Sequence, residues 1–308
     1  MLLSYFEHRE ACRVKQEERR NRIARLPDDF HNPLTALDLP VSELAENVRK
    51  GRIQSQASLT AYVKAALLAH KETDCLTEVM TSEALDWAKD CNMDGPLAGV
   101  PVSLKDMLGV KGFDSSVGNS AWIGKSFKEH SAIFKLLRDA GAIPFMKTNV
   151  PITLMSYEFS SDLFGVTTNP HDPDYSPGGS SGGESALIAY GGSRIGVGSD
   201  VAGSARVPAH YSGIYSIKAS VGRFPKAGSG TSIPGQEGVP FTHSPMTRTL
   251  EDLETFWRAV VKMEPWKYDY SCLEIPWCEV DLQHKKLKWG VFWDDGSSVL
   301  FFSSSAAV

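Results

Sequence analysis

Apolar side chains recur at helical spacing through the first third of the chain. Leu44, Val48 and Ile53 form one set, Leu59, Val63, Ala66, Leu67 and His70 a second, and Ala84 to Cys91 a third, shorter one. Residues three or four positions apart share one face of a helix, so three helices are predicted ahead of the first strong strand. That strand is the apolar run Leu97-Ala98-Gly99-Val100-Pro101-Val102-Ser103-Leu104, which ends on Lys105-Asp106. Helical spacing returns from about His130 to Ala140, with Ile133, Leu136 and Leu137 on one face, and Gly141 stops it before the strand Ile143 to Lys147. Helix, glycine stop and short apolar strand is the signature of a βαβ unit. The alternation continues with a helix from Gly183 to Tyr190, a strand from Ile195 to Ser199, a helix from Leu250 to Val261 and a strand from Leu287 to Trp293. An α/β fold around one mixed, mostly parallel sheet is the economical arrangement.

One stretch lies outside this alternation. From His8 to Arg25 a helix-compatible segment carries seven basic and three acidic side chains. Such a helix could grip nucleic acid or a membrane surface, but a solvated helix is the simpler expectation. The chain therefore divides into an N-terminal helical extension over 1–40, a main domain over 41–296 and an atypical serine-rich tail over 297–308. A net charge of −5 over 308 residues argues against a polyanion-binding specialist. Five widely spaced cysteines with no C-x-x-C pair fit a reducing, cytoplasmic setting with neither a disulfide framework nor a zinc site. The N-terminus becomes charged at once, as a signal peptide would not. No window approaches the roughly 18 apolar residues that a membrane span requires, so no membrane partner is expected.

Candidate chemistry concentrates in Ser176-Pro177-Gly178-Gly179-Ser180-Ser181-Gly182-Gly183-Glu184-Ser185-Ala186 and in a second Gly-Ser step, Asp200-Val201-Ala202-Gly203-Ser204-Ala205-Arg206, which places Ser204 24 positions after Ser180. A glycine loop before a helix could cradle phosphate, but no Walker lysine follows and the G-x-G-x-x-G spacing is absent. Gly178-Gly179-Ser180-Ser181-Gly182 also matches the G-x-S-x-G nucleophile elbow formally. That elbow needs a buried strand in front, whereas Asn169-Pro170-His171-Asp172-Pro173 precedes it. The glycines do allow backbone torsions that hold a serine where ordinary residues could not. Ser204, at the end of a strand and preceded by small residues, has consecutive backbone N–H groups of the kind an oxyanion hole requires. A serine nucleophile needs a base. None of the eight histidines stands in a catalytic setting, while Lys105 ends an apolar strand, where burial would leave its amine neutral.

The segments PLAGVPVSLKD, FMKTNVP, SPGGSSGGESALIAYGG and GVGSDVAGSARVPA, in this order, resemble the amidase signature family, and fungal acetamidases or general amidases in particular. The resemblance runs from about Leu44 to Trp266. It implies the amidase-signature fold, a central mixed sheet covered by helices on both faces, incomplete here at the C-terminus. It also implies Ser204 as the nucleophile that carries the acyl group. Ser180, after a cis Gly179–Ser180 bond, would be the bridging residue, and Lys105 the neutral base. The N–H groups of Val201, Ala202, Gly203 and Ser204 would form the oxyanion hole. Ser181, Asp200 and Arg206 would support the site, with Leu154 and Met155 near the bound substrate. No metal or organic cofactor is implied. The partner is a small amide, with a homodimer as an option and nucleic acid excluded.

Two departures accompany the resemblance. Where the family usually reads D-I-G-G-S this chain has Asp200-Val201-Ala202-Gly203-Ser204, and alanine keeps the N–H donor while disfavouring positive φ. Family members also run considerably longer, and the end from Ser297 to Val308 matches none of their usual continuation. Three expectations follow: an amidase cleaving small carboxylic amides to acid and ammonia, a catalytically inactive fragment of one, or an esterase using the same serine.

Overall fold

The computed structural model describes residues 2–27, 39–236, 238–280, 288 and 290. The helices are α1 (Leu2–Ala24), α2 (Val41–Arg49), α3 (Ser55–Thr73), α4 (Thr81–Lys89), α5 (Ala132–Asp139), α6 (Gly182–Tyr190), α7 (Arg206–Ser212) and α8 (Leu250–Lys262). The strands are β1 (Leu76–Val79), β2 (Pro101–Lys105), β3 (Ile143–Thr148), β4 (Ile195–Asp200), β5 (Tyr215–Ser216) and β6 (Thr242–Thr247), in the sheet order β1-β3-β2-β4-β6-β5. The chain divides into two units, Met1–Trp277 and Cys278–Val308, and every element lies in the first. The strand predicted over 287–293 and the tail over 297–308 lie outside the described residues, apart from Lys288 and Gly290.

The sheet is mixed. β3, β2 and β4 run parallel in its centre, while β1, β6 and β5 add antiparallel pairings at its flanks. The connections β2-α5-β3 and β3-α6-β4 move across the sheet in opposite directions, and right-handed crossovers then place α5 and α6 on opposite faces. α5 buries Ile133, Phe134, Leu136 and Leu137, the face that the spacing predicted. α2 does the same with Val41, Leu44, Ala45 and Val48. α6 is buried almost throughout, its Glu184 and Ser185 included.

The strand predicted over 97–104 begins only at Pro101. Ahead of it, Leu97-Ala98-Gly99-Val100 forms a turn in which the N–H groups of Leu97 and Gly99 donate to the carbonyls of Ala140 and Gly141 at the end of α5. β1 and β6 carry no apolar signal comparable to β2. β1 is four residues long, and β6 is Thr-His-Ser-Pro-Met-Thr, all buried by its neighbours despite its polarity.

α1 corrects the expectation of a solvated helix. Lys15, Arg19 and Arg22 recur at i, i+4 and i+7 and face β1. Lys15 Nζ lies 2.5 Å from Glu78 Oε1 and 3.1 Å from Asp114 Oδ2, and all three side chains are buried. The Arg19 guanidinium donates to Leu76 O at 2.6 Å and that of Arg22 to Val79 O at 3.2 Å. The basic face therefore takes up carbonyls on the outer edge of the sheet, which would otherwise be open to pairing with another chain.

Candidate active site

The central parallel strands carry their C-terminal ends to one side of the sheet, where sites in open α/β folds collect. Lys105 is the last residue of β2 and is fully buried. Its Nζ donates to Ser180 Oγ at 2.8 Å and to Ser199 Oγ at 2.9 Å. Burial pushes the Lys105 amine down to about 7, against the upward pull of Asp200 and Glu184. An ammonium is costly to hold away from water, so the neutral amine is accessible near neutrality.

Ser180 follows a cis peptide bond from Gly179. Gly179 allows the chain to pass against the 156–157 backbone, because a Cβ there would lie 2.2 Å from Ser156 O. Ser181 then ties this loop to β4 and to the second Gly-Ser step. Its N–H donates to Ser204 O at 3.0 Å, and its hydroxyl accepts from Ser199 N at 3.3 Å. The two serine segments, far apart in sequence, are thus held side by side.

Asp200 folds the second step. Its carboxylate accepts from the N–H groups of Gly203 (2.8 Å), Ala205 (3.1 Å) and Arg206 (3.3 Å), and from Arg206 Nε and Nη2 at 3.0 Å each. Burial pushes this carboxyl up, but the Arg206 guanidinium and the three N–H groups hold it below the usual carboxylate range. Asp200 competes for one of the N–H groups expected in the oxyanion hole. The Gly203 N–H is directed at Asp200, which leaves those of Val201, Ala202 and Ser204 as candidate donors. Gly203 has φ +133°, which favours glycine. Ala202 keeps a negative φ, so this position does not demand glycine.

Ser180, Ser199 and Ser204 open onto a cavity of about 660 Å³, within the usual range of ligand pockets. Leu154, Met155, Val201 and Ala202 also line it. Thr153 and Leu154 take left-handed backbone (φ +58° and +62°), uncommon for residues with a Cβ and found where function constrains a turn. Arg206 stands outside the cavity, acting on it through Asp200.

Several residues of the site escaped sequence reasoning. Ser199 shares the Lys105 amine. Tyr157 donates its hydroxyl to Ala202 O at 2.6 Å and so braces the turn before Ser204. Met107 and the segment around Ile233, Val239 and Phe241 supply an apolar wall. The readable signal for Ser199 was a hydroxyl in an otherwise apolar and glycine strand. The wall residues lie in irregular chain, without periodicity to point at them. Among the described residues no group of side chains could hold a metal ion, and no helix is long and apolar enough to cross a membrane.

The fold and the Gly-Ser architecture define a class, and the Amidase family model matches residues 57–301. The chain belongs to that family. It is 38% identical over 267 residues to the Acetamidase of Emericella nidulans, covering 83% of this chain and 49% of that one. It is similarly 38% identical over 268 residues to Fatty acid amide hydrolase 1 of Caenorhabditis elegans, covering 84% and 47%. Among solved structures, a fatty acid amide hydrolase superposes with a TM-score of 0.79 at 32% identity, over 89% of this chain and 54% of that one. The chain thus spans about half the length of the curated relatives it matches.

Proposed function

We propose that this chain hydrolyses the C–N bond of small carboxylic amides, giving the acid and ammonia, through an acyl-enzyme on Ser204. The observation that carries the reading is the buried Lys105 amine 2.8 Å from Ser180 Oγ, with Ser180 and Ser204 lining the same cavity. Ser204 Oγ attacks the carbonyl carbon while its proton passes to Ser180 Oγ, whose own proton goes to Lys105. The developing oxyanion lies against the N–H groups of Val201, Ala202 and Ser204, each essential donor being worth about 3–4 kcal/mol in comparable sites. Collapse breaks the C–N bond, and the proton returns through Ser180 to the nitrogen, which leaves as ammonia. Water then attacks the acyl carbon, losing its proton along the same relay, and Ser204 departs with the acid released. Ser181, Asp200 and Arg206 hold the two serine segments in register.

The cavity has room for acyl groups larger than acetyl, and its wall of Met107, Leu154, Met155, Ile233, Val239 and Phe241 suits an apolar chain. That shape agrees with relatives whose names include both acetamidase and fatty acid amide hydrolase. The test is ammonia release by the purified, monodisperse chain from a series running from acetamide to hexanamide. Release that disappears in Ser204→Ala is expected. No release above background across the series from the wild-type chain overturns the reading.

A further inference from the structure

The relay leaves one fully buried carboxylate without a task. Glu184 stands in the first turn of α6 and is packed against three strands. Its Oε1 accepts a hydrogen bond from Ser103 Oγ on β2, and its Oε2 one from Thr148 Oγ1 on β3 at 2.6 Å. On β4 the space is left by Gly196, where a Cβ would lie 1.8 Å from Oε1. Two hydroxyls and one glycine from three neighbouring strands thus form a seat for a single acid. Burying a carboxylate is costly unless it is hydrogen-bonded and charge-balanced, and here no cation lies at ion-pair distance among the described residues.

The cation that shares its field is Lys105, two residues beyond Ser103 and so on the same face of β2. Resting on the reading of Lys105 as the base, we propose that Glu184 is a positioning residue whose seated carboxylate supplies the negative charge against which Lys105 takes up and releases its proton. The other charged groups around Lys105 are already balanced. Asp200, at the end of β4, is the larger influence, but Arg206 binds both its oxygens. Asp106, next in the chain, pairs with Lys147 of β3 at 2.8 Å. His243 of β6 is neutral, since burial pushes it down to about 4. Cys75, the remaining titratable neighbour of Glu184, is held as a thiol by burial, which raises it to about 12.

The protonation of the two groups is then linked. Burial raises Glu184 to about 7, with Ser103, Thr148 and Lys105 pulling it back, while burial lowers Lys105 to the same region. Near neutrality, charging either group favours charging the other, and the pair titrates as a unit. The Ser103 and Thr148 hydroxyls bias that unit toward the ionised acid.

The test uses the full chain with ¹³Cε-labelled lysine, the Lys105 resonance being assigned by its loss in Lys105→Met. In Glu184→Gln the Lys105 midpoint is expected to fall by about half a pH unit or more. In Thr148→Val, which keeps the side-chain shape and removes a hydroxyl that favours the ionised acid, a smaller fall in the same direction is expected. The acid limb of amide hydrolysis should move with the midpoint. An unmoved midpoint in a Glu184→Gln protein that melts like wild type overturns the proposal. If Glu184→Gln does not fold, unmoved midpoints in both Thr148→Val and Ser103→Ala overturn it instead. A shifted midpoint in a chain without amide hydrolysis would sustain the electrostatic coupling and refute the catalytic reading. Hydrolysis with an unmoved midpoint would do the reverse.

Discussion

A lysine removed from water holds its proton weakly, and Lys105 is removed completely, its amine reaching two serine hydroxyls among the described residues. As the base it must be neutral, so kcat/KM for an amide is expected to rise with pH through about 7 and then level. A pH–rate profile checks this. The same residue leaves a mark on stability. Its folded value lies below the ordinary 10.5, so between about 7 and 10.5 the unfolded chain binds the extra proton. Stability therefore rises with pH across that window. In Lys105→Met this rise should be missing from urea midpoints measured at pH 7 and pH 10. Replacing Ser180 by alanine breaks the relay but leaves the nucleophile, and a loss of about 10²–10⁴-fold in kcat is expected, the range typical of general acid–base catalysis. At this scale the glycine-flanked serines and the lysine closing an apolar strand are local patterns that the sequence displays, while the roles given to Lys105, Ser180 and Ser204 came from the family resemblance. Ser199 and Glu184 were not legible there, since their significance is who they touch.

At the scale of elements, α1 shows how a charge pattern misleads without its partner. Seven basic side chains on a helix read as solvated, yet Lys15 and Arg19 are buried on the edge of β1. Lys15 is the cation between Glu78 and Asp114, and removing it strands two buried carboxylates. Lys15→Met is expected to cost about 3–5 kcal/mol, read as a lower urea midpoint at unchanged slope. Arg13→Met, on the exposed face, should leave the urea midpoint essentially unchanged despite its pairs with Glu10 and Glu17, because water screens exposed ion pairs. The helices α2, α5 and α8 were readable because each has one apolar stripe and one wet face. β6 was hidden because its Thr, His, Ser and Pro are buried by β4 and β5 on either side rather than by their own hydrophobicity.

For the whole molecule, two histidines are kept neutral by burial. His243 on β6 is lowered to about 4 and His70 on α3 to about 3. Between 6.5 and those values the unfolded chain binds more protons, so stability falls as pH is lowered through that range. The His243 share is about 3 kcal/mol. Thermal melts from pH 7 to pH 4 should show the loss, and His243→Gln should flatten part of it.

The sequence by itself determined the βαβ alternation, the glycine-flanked serines and the lysine that ends an apolar strand. Each of these is written in a short window, through side-chain periodicity or backbone freedom. Only the tertiary structure decided that the segments carrying Ser180 and Ser204 lie side by side, that the Gly203 N–H turns to Asp200, that Glu184 is seated between hydroxyls of β2 and β3, and that a basic helix closes a sheet edge. Those outcomes depend on residues that are distant along the chain and adjacent across the sheet. Burial and charge pairing are properties of that neighbourhood, and no single window of sequence contains it.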